Sequence, residues 1–208
     1  MKAFLISISQ ILVVLAFFSC AAVQPAVKPE VITEKPPVII EKPEIPSFIM
    51  GQGKISALKL STFLLLNNQY INPAYAIELV QFYIEEASFE GVNHDIAFAQ
   101  MCLETGFLRF GGDVKPNQYN FAGLGAIGGG EPGLSFPDPR TGVRAQIQHL
   151  KAYGCEDPLN GTLINPRFRF VRRGSAPTIE GLAGTWAADK QYAVKINTIL
   201  QRMYEYSF

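Results

Sequence analysis

The sequence predicts a mostly helical α+β domain carrying a small irregular or β element. Two observations support that class. Apolar residues recur at helical spacing in four stretches between residues 73 and 204. Between them, residues 109–141 and 156–177 are too dense in glycine and proline for regular helix. A third observation sets the organisation: the first fifty residues differ in composition, being apolar at first and then proline-rich. A chain of 208 residues holds one domain plus a tail. Its formal net charge of +0 excludes nucleic-acid binding by bulk electrostatics.

Residues 1–20 read as a targeting segment. Lys2 supplies positive charge, and Leu5 to Phe18 is mostly apolar but too short to span a bilayer comfortably. Ser19-Cys20-Ala21 then resembles a bacterial lipobox, with phenylalanine where leucine is usual. In that reading Cys20 is the lipid acceptor and the first residue of the mature protein. The alternative is ordinary signal-peptidase cleavage near Ala21 or Ala22. Both readings place the protein outside the cytoplasm; the first makes it a membrane-anchored lipoprotein facing the periplasm or cell surface. Residues 21–50 form a linker with recurrent proline among glutamate and lysine. Such sequence stays extended, and its stretch from residue 22 to 47, about 26 residues at ~3.1 Å each, reaches on the order of 80 Å.

Residues 51–208 form the folded domain. Pro73 opens a helix that runs to about Phe89, with Ala76, Leu79, Val80, Tyr83, Ile84 and Ala87 as its apolar stripe. Gly91-Val92-Asn93 turns the chain into a second helix, capped by Asn93 or Asp95 and stopped at Gly106. Residues 109–141 hold a short hairpin or irregular strands beside a cleft. A helix from about Thr141 to Tyr153 buries Val143, Ile147 and Leu150. The alternation Arg167-Phe168-Arg169-Phe170-Val171-Arg172 suggests a short strand or extended wall with arginines on one side. Asp189 caps a last helix to about Tyr204, which buries Ala193, Ile196, Ile199, Leu200 and Met203.

Glu104 is the residue that suggests chemistry. It lies in the last turn of the second helix, among apolar neighbours and at the negative end of the helix dipole. These surroundings disfavour its ionised form. A carboxyl group kept protonated near neutral pH is what a glycosidase needs as its general acid. The competing reading is a glutamate at a fraying helix end. A second group must stabilise positive charge or activate water. Glu131, in a glycine-rich turn suited to a mobile loop, is the first candidate; Asp138 and Asp113 are the others. Asp138 sits between prolines, which favours a turn role. Phe121, Tyr119 and Trp186 are rings that can stack on sugar faces, and Tyr119 and Asn120, which open a loop segment, rank ahead of Trp186 as substrate contacts. No Cys/His cluster has metal-ligand spacing, and nothing calls for a cofactor. Cys102 and Cys155 are either a disulfide, which an exported compartment permits, or two unpaired thiols.

Three motifs occur in order: Gln100-x-x-x-Glu104-Thr105-Gly106, Tyr119-Asn120-Phe121-Ala122-Gly123-Leu124-Gly125, and Asp189-x-x-Tyr192-Ala193-x-Lys195-Ile196. Over about residues 55–206 this order resembles the glucosaminidase domains of glycoside hydrolase family 73, which act on bacterial peptidoglycan. The middle motif departs from the commoner Asn-Leu-Phe-Gly-Ile-Lys. The resemblance implies a lysozyme-like fold with a small irregular β-lobe and Glu104 as catalytic acid on a central helix. It also implies Gln100 and Tyr192 at the site, with Tyr192 holding the substrate's 2-acetamido group or positioning charge. That acetamido group can itself serve as nucleophile in place of a second carboxylate. The implied activity is an endo-β-N-acetylglucosaminidase. A muramidase or lytic transglycosylase on the same fold, or a non-catalytic wall-binding module, are the alternatives. The expected partners are peptidoglycan glycan strands, whose stem-peptide carboxylates the arginine wall can meet, and a membrane through Cys20. The chain is expected to act as a monomer.

Overall fold

The helix that carries Glu104 runs through the middle of the domain. The structure is a computed structural model that describes residues 43–208. Cys20, the targeting segment and most of the linker lie outside the described residues. Five α-helices make up the domain: α1 (Ala57–Asn67), α2 (Pro73–Glu90), α3 (His94–Thr105), α4 (Pro139–Gly154) and α5 (Tyr192–Ser207). Every residue of α3 except Leu103 and Glu104 is buried. A helix buried nearly all round must have neighbours on every side; α2, α4 and α5 pack against it.

Local signals fix where these helices begin and end. Asn93 caps α3, its side chain accepting the N–H groups of Asp95 (3.0 Å) and Ile96 (3.4 Å). Gly106 ends it in the left-handed region at φ 57. Asp95, the alternative cap, has another role. It is fully buried and accepts from Lys54 N–H (2.8 Å), Ile55 N–H (3.3 Å) and the Tyr204 hydroxyl (2.8 Å). One carboxylate thus ties the entry segment and α5 to the start of α3. Asp138 caps α4 through Thr141 N–H at 2.8 Å, and Pro139 takes the first helical position. The helix therefore starts two residues before the expected Thr141.

Charged groups hold α2 to α4. Glu86, nearly buried, accepts from Arg140 (2.7 Å) and Arg144 (2.7 Å). Lys151 and Glu90 form a buried pair at 2.9 Å, and Asn160 N–H (2.9 Å) and Gly161 N–H (3.2 Å) also donate to Glu90. Removing one partner of such a pair costs about 3–5 kcal/mol, because the other charge is left buried and uncompensated.

Several expectations need correction. Helix α1 was not foreseen. Its apolar residues are not confined to one face: Leu60, Phe63 and Leu64 are buried while Leu58 and Leu66 are exposed. The folded unit begins before residue 51. Ile49 is fully buried, and its backbone bonds to Pro177 O (2.9 Å) and Asn93 N–H (2.8 Å). Burying such a side chain contributes about 2 kcal/mol, so the last linker residues belong to the domain. The lobe between α3 and α4 is irregular. Its β pairing among the described residues is one isolated bridge, Gly128 to Glu131.

The arginine wall is a 3-10 helix, Pro166–Phe170, with Asn165 capping it through Arg167 N–H at 2.9 Å. Arg169 lies over the Phe170 ring (4.9 Å) and Arg173 over Phe168 (4.4 Å), so the arginines do not line one side. The last helix starts at Tyr192. Asp189 shapes the turn before it, accepting from Gln191 N–H (2.8 Å) and Lys195 Nζ (2.6 Å). Cys102 and Cys155 are both free, the first buried in α3 and the second partly exposed after α4.

Candidate active site

Glu104 lies where the last turn of α3, the irregular lobe and the start of α5 meet. Its Oε1 accepts two hydrogen bonds, from the Tyr192 hydroxyl and from Trp186 Nε1 (3.1 Å). With Oε1 held by two donors, the proton of the neutral carboxyl belongs on Oε2. That oxygen faces the backbone of Gly123, where an added Cβ would stand 3.5 Å from it. Gly123 adopts φ +62, so a side chain there would be strained, and its Cβ would stand in van der Waals contact with the carboxyl.

Glu104 is exposed by surface area, yet burial is the leading cause of a pKa raised above the ordinary glutamate value. Both describe a carboxyl at the floor of an open cleft: solvent reaches it, while surrounding protein displaces most of its hydration. The Tyr192 and Trp186 bonds oppose the rise by favouring the carboxylate. Tyr192 is pushed well above its usual value, by burial first and the nearby Glu104 charge second, so it remains a donor.

Behind Tyr192 runs a buried chain of hydrogen bonds pointing one way. The Tyr83 hydroxyl donates to Gln146 Oε1 (2.5 Å). Gln146 Nε2 donates to Gln100 Oε1 (2.9 Å), and Gln100 Nε2 donates to the Tyr192 oxygen (3.0 Å). Tyr83, Gln100 and Gln146 are fully buried. The chain links α2, α4, α3 and α5 and fixes the orientation of the one hydroxyl that donates to Glu104. Trp186 is held in a similar way. His149 meets it edge-on at 4.9 Å, and Tyr153 lies at 5.7 Å. Asn165 Nδ2 bonds His149 Nδ1 at 2.8 Å, while burial and then Arg167 lower the imidazole pKa to about 4. His149 is therefore neutral at pH 7 and packs against Trp186 as an uncharged ring.

A cleft of about 170 Å³ opens in front of Glu104, with Thr105, Phe110, Asp113, Asn120, Gly123 and Ala126 in its lining. The three candidate carboxylates are thereby separated. Asp113 lines the cleft. Asp138 is an N-cap, its carboxyl held below the usual range by Thr141. Glu131 is exposed in the glycine-rich turn and is not part of the lining. Phe121 is corrected: at 1 % exposed it packs in the core with Tyr83 and Phe110 and offers no face to a sugar. Asn120 borders the cleft, but its side chain is occupied by Leu124 O (2.9 Å), Leu134 O (3.0 Å) and Leu124 N–H (2.9 Å). It shapes the loop. Gln100 likewise acts through Tyr192, since it is fully buried. Tyr119 is partly exposed but lines a neighbouring cavity. Trp186, ranked low from the sequence, bonds Glu104 directly. Its place just before the Asp189-x-x-Tyr192 motif was the available signal.

The domain shares its fold with the crystal structure of S. aureus autolysin E in complex with the muropeptide NAM-L-Ala-D-iGlu. The TM-score is 0.51 at 15% sequence identity, over 76% of this chain and 71% of that one. An uncharacterized protein of Borreliella burgdorferi is 42% identical over 168 residues, 81% of this chain and 82% of that protein. The glucosaminidase family, described as mannosyl-glycoprotein endo-beta-N-acetylglucosaminidase, matches residues 80–205. The chain belongs to the glucosaminidase family. That family is one of glycoside hydrolases, and the matched residues run from the first half of α2 into α5. They take in Glu104, Trp186, Tyr192 and the whole hydrogen-bond chain behind them. The solved structure, at its low identity, supports the fold of this family member and not its residue roles.

Proposed function

We propose that this glucosaminidase-family chain hydrolyses peptidoglycan at the β-1,4 bond after N-acetylglucosamine, with Glu104 as general acid. The observation that carries the reading is the asymmetric setting of the Glu104 carboxyl. One oxygen is fixed by Tyr192 and Trp186, the other lies beside Gly123, which lines the cleft with Glu104, and burial favours the protonated form. Oε2 hands its proton to the leaving glycosidic oxygen, and the fixed donors stabilise the carboxylate that remains. Asp113, already in the cleft, or Glu131, brought in by its glycine-rich turn, stabilises the oxocarbenium-like centre or activates water. The muropeptide bound to the staphylococcal autolysin supports peptidoglycan as the substrate.

Mass spectrometry of digested cell wall tests the bond choice. New reducing ends on N-acetylglucosamine are expected. Reducing ends on N-acetylmuramic acid would make the protein a muramidase, and anhydromuramic ends a lytic transglycosylase. Release of no fragments would make it a wall-binding module.

The lipoprotein reading rests on the sequence around Cys20. The full-length protein should label with palmitate and partition into the detergent phase, and Cys20→Ala should abolish both. Labelling that persists in Cys20→Ala would replace lipidation with ordinary signal cleavage.

A further inference from the structure

Next to the Glu104 cleft is a second, larger cavity of about 680 Å³, and Phe110 lines both. Ligand pockets generally span about 300–1,000 Å³. The larger cavity falls in that range and the 170 Å³ cleft falls below it. On its own the 170 Å³ cleft has room for little of a polymer.

The walls indicate the kind of ligand. Tyr70, Tyr75, Tyr119 and Phe110 supply rings, and Asn72 and Asn117 supply amides. Tyr70 is 86% exposed, a large ring left in solvent at the rim. The Asn72 Oδ1 caps α2 through Ala74 N–H (2.9 Å), which leaves its amide nitrogen to donate. Burial and the neighbouring Tyr119 push Tyr75 up to about 12, so its hydroxyl stays neutral. Among the described residues, four that are not glycine have positive φ, and three of them line this cavity: Leu108 (61), Phe110 (51) and Tyr119 (50). Side-chain-bearing residues adopt that conformation at a cost. Here it falls on residues that form the wall.

We propose that this cavity is a second saccharide site, holding N-acetylated sugars of the same glycan strand beyond those at Glu104. Flat apolar rings match the C–H faces of pyranoses, and amides with hydroxyls match acetamido and hydroxyl groups. The stem peptide is a poorer match, because its carboxylates need a free cation. Arg109 is the charged residue in the lining, and its guanidinium is bonded to Gly106 O (3.0 Å) and Asn67 O. The proposal rests on the glycosidase reading above, since it assigns the cavity to the substrate of that site.

The test measures binding of the N-acetylglucosamine tetramer to Glu104→Gln protein, in which turnover is suppressed, by calorimetry. Tyr70→Ala and Asn117→Ala are added to that protein separately; both residues are exposed, so thermal unfolding should be unchanged. Each is expected to weaken tetramer binding, Tyr70→Ala by about ten-fold. Unchanged affinity in both variants, or no tetramer binding by the parent, overturns the proposal. A loss seen with muramyl dipeptide and not with the tetramer also overturns it, by making the occupant peptide. If the wild type releases no reducing ends from cell wall while tetramer binding still depends on Tyr70, the hydrolase reading fails and the saccharide site stands.

Discussion

Glu104→Gln is expected to fold as the wild type does and to lose about two orders of magnitude or more of turnover. The change is nearly isosteric. The amide oxygen can still accept from Tyr192 and Trp186, so the local network survives. What disappears is the proton on the oxygen that Tyr192 and Trp186 leave free. The stability effect has a defined sign. The folded-state pKa of Glu104 is raised, so its contribution is most favourable at low pH and is lost as pH rises through the folded value. A neutral amide does not carry that loss. The variant should therefore unfold at the same or a higher temperature than the wild type at pH 7, with the difference vanishing in acid. Turnover and a thermal pH series check both parts. Near-wild-type turnover in a folded variant would remove Glu104 from the acid role.

Much of the helical frame could be read from the sequence because its signals are local. Asn93 and Gly106 bracket α3, Pro73 opens α2, and the stripe from Ala193 to Met203 marks α5. Each rests on backbone geometry that a few adjacent residues decide. Glu104 stood out for the same reason, being a carboxylate in the last turn of an apolar helix. The parts that were misjudged depend on contacts distant in sequence. Phe121 looks like any loop aromatic until Tyr83 and Phe110 close over it. Trp186 reaches Glu104 across 82 positions. The arginine alternation had strand period, but Asn165 and Pro166 set a 3-10 turn that overrides it. Separating Asp113 from Glu131 and Asp138 required knowing which loop lines the cleft.

Tyr192→Phe is expected to move the pH profile as well as the rate. The hydroxyl donates to Glu104 and favours its ionised form. Without it the Glu104 pKa rises further, so the acid stays protonated to higher pH. The alkaline limb of kcat should shift upward, with turnover at the optimum falling about ten-fold. Stability should fall by about 1–3 kcal/mol, because the buried Gln100 amide loses its acceptor. A loss as large as that of Glu104→Gln, with no shift in the profile, would assign the hydroxyl to the substrate. The 2-acetamido group would then act as nucleophile with Tyr192 orienting it. Glu131→Gln and Asp113→Asn complete the comparison. If one of them activates water, that variant should lose turnover with little change in apparent affinity. Its carboxyl should then lie about 6.5–9.5 Å from that of Glu104 in the substrate complex, with inversion at the anomeric carbon. Slight effects at both positions, beside a large one at Tyr192, would leave the acetamido route as the chemistry this cleft supports.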